Sequence, residues 1–403
     1  MMVLFLGCMS LALLVIDATC FDYHIGYMDG KMYYQYLPEF FIEHNFSFYV
    51  KFPVGTALCE LPFFLIAHIF TLIVNPAEAV GYGGAYEWAV ACSGLFFFVL
   101  GLWLLYKVCL KLFEKKVALF SVMLLAVGTP LPYFATRYAC FSHIYTFAMG
   151  SALIYLTMKI DEEHEKRNAF LIGLIVGWLF LIRNVNVLFV MFYGLKYFGD
   201  WKNWWAHLKR IFFKNRLPYH VMGGLLLTVP QFLYWKKTTG SFLLNTYSDE
   251  SFTYLFRPKF YEVLFSDAKG YFILTPLMFF AVLGFLFVWS QEVKKYAWSV
   301  VAVFCYELFV TAAWWCWWFG GVFSIRTFLD VTAYMVLPLG ALLQRICNAE
   351  GKYRIFIKCI YFVLIVWMVL VNIAFIKGGC TGIINETASN WWELKSALFQ
   401  LWR

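Results

Sequence analysis

Residues 51–74 read KFPVGTALCELPFFLIAHIFTLIV. From Phe52 to Val74 the run is apolar enough to cross a bilayer, which takes roughly 20 apolar residues. It opens on a lysine and a Pro53-Val54-Gly55 turn. How this run lies decides the topology around it. The next apolar run ends at Lys111, Lys115 and Lys116, and basic residues in short loops face the cytoplasm. If 52–74 crossed, that cluster would fall on the wrong side. The segment is therefore expected as an interfacial helix on the outer leaflet. Residues 18–86 then form one long extracytoplasmic loop.

Working outward, further basic clusters sit at Lys159, Lys166 and Arg167, at Lys202, Lys209, Arg210, Lys214 and Arg216, at Lys294 and Lys295, and at Arg345, Lys352 and Arg354. Placed on the cytoplasmic side, they let apolar runs alternate at 88–110, 117–135, 139–158, 168–183, 184–198, 217–235, 271–290, 298–315, 331–346 and 355–376. Residues 1–16 lack a basic start and a small-x-small cleavage site, so they read as a retained first span. The expectation is an all-α, polytopic transmembrane protein of about 11 spans. Residues 1–236 would form the module with the catalytic first loop, and 237–403 a C-terminal, acceptor-related module. Trp391, Trp392 and Trp402 mark a further interfacial helix.

Composition agrees. The 403 residues are 63% hydrophobic and 14% charged, against about a quarter charged in soluble domains. The formal charge of +8 lies in short loops, so it orients the chain in a bilayer rather than binding nucleic acid. The 11 cysteines form no CxxC pair and read as small apolar residues. A disulfide among Cys20, Cys316 and Cys380 is neither supported nor excluded. No P-loop, no dinucleotide fingerprint and no zinc-protease pattern appears.

Chemistry is sought among ionisable groups, which are expensive near a membrane. The first loop offers Asp22, His24, Asp29, Glu39 and Lys51, with Asp17 just ahead. A carboxylate there can act as general base on a hydroxyl, although Asp29-Gly30 is equally a turn sequence. Arg137, Arg183 and Arg326 fall at outer helix ends, against the positive-inside bias, with His143 one turn into a span. Each alone could be a snorkelling side chain. With Lys51 they make a cationic set suited to a phosphate leaving group. Glu307 lies mid-span, as a functional acid or as the partner of a neighbouring helix. Asn45-Phe46-Ser47 and Asn385-Glu386-Thr387 match the glycosylation pattern.

The order of these features resembles the bacterial members of the GT-C superfamily. Tyr27-Met28-Asp29-Gly30 through Tyr33 resembles the first-loop acidic motif, and Lys51-Phe52-Pro53-Val54-Gly55-Thr56 the Lys-Tyr-Pro-Pro-Gly motif. Gly128-Thr129-Pro130 with Phe141-Ser142-His143, and Leu181-Ile182-Arg183-Asn184 with Asn186, are similar to the family's paired spans and arginine turn. Thr239-Gly240-Ser241 with Lys269-Gly270 to Thr275-Pro276, and Trp318-Phe319-Gly320-Gly321 through Ser324-Ile325-Arg326, follow in order. Pro53-Val54 departs from the double proline, and Ser324-Ile325 from Gly-Pro. More distant likeness extends to aminoarabinose transferases and protein O-mannosyltransferases.

The resemblance implies a transferase that takes a sugar from a polyprenyl-phosphate donor to a cell-envelope acceptor, with inversion. It gives Asp29 as the base, and Lys51, Arg137, Arg183 and Arg326 as the phosphate ligands. His143, Asp22, Tyr33 and Lys269 are further site candidates, and Asp17 and Asp22 rival Asp29. A divalent ion could bridge Asp29 and phosphate, but no ligand set is legible. Two other classes compete: a flippase for a charged lipid, which would break no bond, and an O-antigen-ligase-like enzyme with a diphosphate-linked donor.

Overall fold

The computed structural model describes all residues except 21–24, 26–27, 163, 214–215, 245–249, 289–291 and 401–403. Asp22, His24, Tyr27, Lys214 and Trp402 thus lie outside the described residues. Those described form helices and turns, with no strand among them.

In chain order, α1 is Met2–Cys20, α2 Met28–Tyr34, α3 Tyr36–Phe41, α4 Gly55–Val74, α5 Gly84–Leu112 and α6 Lys115–Val127. Then come α7 Leu131–Ala135, α8 Ser142–Lys159, α9 Glu165–Ile182, α10 Met191–Gly194, α11 Trp201–Phe213 and α12 Leu217–Thr239. The chain continues with α13 Phe260–Phe265, α14 Tyr271–Leu274, α15 Pro276–Leu283, α16 Lys294–Ala313, α17 Leu329–Cys347, α18 Arg354–Cys380 and α19 Trp391–Phe399. Among the described residues, five helical segments are long and apolar enough to cross a membrane: Gly55–Val74, Gly84–Leu112, Lys294–Ala313, Arg326–Cys347 and Arg354–Cys380. The first helix runs past Asp17, which is buried.

Three expected runs are broken rather than continuous. Residues 117–135 stop at Gly128 and resume after Pro130 as the short α7, since proline cannot donate to the helix ladder. Residues 184–198 are a 3-10 stretch, Asn184–Val190, followed by the single turn of α10. Residues 271–290 are divided at Thr275-Pro276 and at Gly284. Gly284 is needed there because a Cβ would meet the Pro338 carbonyl of α17.

The chain divides into two units. Residues 1–101, 132–190 and 208–249 make the first. Its tightest pairing is α9 on α12, where Gly173 meets the backbone of His220 and Gly223 that of Phe170. Small residues let helix backbones approach closely in a membrane. Arg216, read from sequence as one of a cytoplasmic basic cluster, is 1% exposed and ion-paired to Asp161 at 3.0 Å and to Glu165. Burying a guanidinium needs such partners.

Residues 102–131, 191–207 and 250–403 make the second unit. Its core is α17, packed against α6, α15 and α16. Gln344 donates to the Glu114 carboxylate at 2.7 Å and accepts from the Glu114 N–H at 3.0 Å, closing the start of α6. Glu307 is buried in α16 and accepts from Thr311 at 3.3 Å, and Thr311 lies 2.9 Å from Thr327. The short α19 starts on Asn390, whose side chain accepts from the Trp392 and Glu393 N–H groups, and it exposes Trp391 and Trp392.

Candidate functional site

In the first unit, Asp29 occupies the first turn of α2 and is half-buried. The next residue is glycine, and a Cβ there would lie 2.1 Å from the Cys140 sulfur, so α2 seats closely on Cys140-Phe141, just ahead of α8, and a larger residue would have to displace the Cys140 side chain. One turn beyond Asp29, the buried Tyr33 stacks on Phe52 with ring centres 4.2 Å apart. The Phe52 carbonyl accepts from the Tyr36 hydroxyl at 2.8 Å, and the Lys51 ammonium lies 5.7 Å from the Phe52 ring centre. The carboxylate helix and the lysine turn are thereby one packed assembly.

The same turn is seated on α9. A Cβ on Gly55 would be 2.4 Å from the Ile182 nitrogen, and the Gly55 carbonyl accepts from the Trp178 indole at 2.9 Å. The Val54 N–H donates to Gln231 of α12 at 3.0 Å. Arg183 follows Ile182 directly, with extended backbone at the end of α9. Asn186 donates to Thr146 of α8 at 3.1 Å, which holds the residues after Arg183 against α8. Arg137 is half-buried in the turns before α8, its guanidinium 5.7 Å from the Tyr138 ring centre. His143, in the first turn of α8, is buried edge-on against Phe134 at 5.9 Å. Asp29, Tyr33, Lys51, Arg137, His143 and Arg183 thus sit on elements that pack on one another. Among them Asp29, Lys51, Arg137 and Arg183 keep partial exposure.

Lys269 and Arg326 belong to the second unit. Lys269 is 1% exposed, and its ammonium donates to the backbone carbonyls of Val322, Ser324 at 3.4 Å, and Glu386. Its ammonium thereby ties the 322–324 loop to the segment at Glu386. Burial, and then the charge of Arg326, pull its pKa down to about 7. Arg326 opens the short 3-10 turn before α17, its guanidinium 5.8 Å from the Phe319 ring centre. Ser324, where the resembling family has glycine, has φ +66°. Cys316 and Cys380 are thiols. Among the described residues no group of three or more His, Cys, Asp and Glu side chains is arranged to hold a metal.

Sequence reasoning passed over two further carboxyls of the first unit. Glu87 of α5 accepts from the Ile25 N–H at 2.9 Å, tethering the first loop. Glu60 of α4 is 1% exposed, with its Oε1 3.2 Å from the Tyr145 hydroxyl of α8. The signal available was a lone acid inside an apolar run.

Residues 61–235 match the family model of dolichyl-phosphate-mannose-protein mannosyltransferases. The match indicates a membrane glycosyltransferase and bears out the resemblance read from the motifs. The stretch that matches this mannosyltransferase family runs from α4 into α12 and carries Arg137, His143 and Arg183. Asp29, Lys51, Lys269 and Arg326 lie outside it. No curated protein and no solved structure matches the chain.

Proposed function

We propose that the protein moves a sugar from a polyprenyl-phosphate carrier to a cell-envelope acceptor on the extracytoplasmic face of the membrane. The observation that carries this reading is the seating of the Lys51–Gly55 turn between α2, which bears Asp29, and the end of α9, which bears Arg183. A base and a cationic phosphate site need that proximity.

In the proposed step, Asp29 accepts the proton of an acceptor hydroxyl as its oxygen attacks the anomeric carbon. The bond from that carbon to the phosphate oxygen breaks, and the electron pair leaves with the lipid phosphate. Lys51, Arg137 and Arg183 offset the charge that develops there. Attack opposite the leaving group inverts the anomeric centre.

Sidedness is supported by packing along α4. The Tyr34 hydroxyl donates to the Gly81 carbonyl at 2.8 Å, and Tyr34 also meets Phe64, midway along α4, at 6.0 Å between ring centres. The first-loop helices therefore contact α4 and the turn after it together. That favours α4 lying along the outer surface, with residues 18–86 on one side. The further spans that bring the number to about 11 belong to the same reading.

The test is release of free polyprenyl phosphate in proteoliposomes from a panel of polyprenyl-phosphate sugars. Asp29→Asn is expected to lose at least about a hundredfold while still inserting and folding. Arg183→Gln is expected to lose about tenfold or more. Full turnover by Asp29→Asn would sink the assignment.

A further inference from the structure

Four oxygens stand in a row inside the first unit. Glu60 Oε1 is 3.2 Å from the Tyr145 hydroxyl. That hydroxyl is 2.6 Å from Ser93 Oγ, and Ser93 Oγ is 2.8 Å from the Val90 carbonyl. Three contacts need three hydrogens. Tyr145 and Ser93 hold one each, and a carbonyl holds none. The third can come only from Glu60. An ionised Glu60 would leave one of these contacts with lone pairs facing each other. A protonated Glu60 closes the chain, each hydroxyl donating to the next until Ser93 donates to Val90.

A second observation agrees. Glu60 Oε2 is buried and has no hydrogen-bond partner among the described residues. A bare oxygen is tolerable as the carbonyl of a neutral acid. On a buried carboxylate it costs far more, because the charge has lost its water and gained nothing. The titratable groups that feel this side chain include Cys59 on its own helix, Tyr34 on α2, and Cys140 and Tyr145 at α8. None of these is a cation that would hold it ionised.

We infer that Glu60 is kept as a neutral carboxylic acid and serves as a positioning residue, locking α4 to α8 and α5 through Tyr145 and Ser93. It stands five residues after Gly55, behind the turn that presents Lys51. A fixed negative charge there would weaken the pull of Lys51, Arg137 and Arg183 on a phosphate. A neutral donor supplies the lock without that opposing field. The positioning role rests on the transferase reading above; the protonation does not.

The two parts are tested separately. Infrared difference spectra of reconstituted wild type against Glu60→Gln, at neutral pH, should show one carboxylic-acid carbonyl band lost. Tyr145→Phe should shift that band. Loss of a carboxylate band instead overturns the inference. In the transfer assay, Glu60→Gln still donates from its amide and should stay within about threefold of wild type, whereas Glu60→Leu should lose more than about tenfold. If Glu60→Gln falls as far as Glu60→Leu, the donor role is wrong. If wild type turns over no donor, the transferase reading fails, and the infrared result still decides the proton.

Discussion

At the scale of single residues, Lys269 makes the second unit sensitive to pH. Its pKa falls to about 7 through burial and the neighbouring Arg326, while an unfolded lysine keeps its proton until about 10.4. Between those values the unfolded chain holds more protons, so stability should rise as pH climbs from 7 towards 10. Thermal midpoints at pH 7 and pH 9 should show this rise in wild type and a smaller one in Lys269→Met. Ser324 is a second case. Its φ of +66° suits glycine, so Ser324→Gly should stabilise by about 1 kcal/mol in denaturant titration. Both residues were legible as members of motifs. Their surroundings were not, because Lys269 meets carbonyls 53, 55 and 117 positions away. Glu60 was printed in the stretch that decided the topology, yet its partner lies 85 positions on. No local pattern announces such a pair.

At the scale of elements, the decisive feature is how the Lys51–Gly55 turn meets α9. Gly55→Ala would force a methyl to within 2.4 Å of the Ile182 nitrogen. Backbone cannot yield as a side-chain tip can, so the variant should lose about 1–3 kcal/mol of stability. Unfolding in detergent would measure that loss, and a raised KM for the lipid donor would show Lys51 displaced relative to Arg183. Apolar period and loop charge read several helices well: 139–158 was expected where Ser142–Lys159 stands, and 355–376 where Arg354–Cys380 stands. They failed at Pro130, Thr275-Pro276 and Gly284, where proline or glycine interrupts an apolar run, and over 184–198, which starts as a 3-10 stretch without either residue. Hydropathy averages over such points, whereas the backbone ladder does not.

At the scale of the whole molecule, the membrane class and the likeness to a glycosyltransferase family were legible because composition alone demands a bilayer and the motifs keep their order. Sidedness is open to a direct measurement. Ser47→Cys, in the first loop, and Val80→Cys, after α4, are both exposed positions. Both should react from outside with a membrane-impermeant maleimide, above the wild-type background. Lys166→Cys, in the first turn of α9, should react only after permeabilisation. Labelling of Val80→Cys from the cytoplasmic side alone would make α4 a true crossing and overturn the interfacial reading. The glycine contact between α9 and α12 has one more consequence, for biogenesis. The ribosome completes α9 well before residues 217–239 exist, and at cellular synthesis speeds the gap is on the order of seconds. Throughout that delay Gly173 and Gly177 present a bare seam to lipid or to the insertion machinery, so nascent chains arrested between the two helices are the ones that quality-control proteases should clear first.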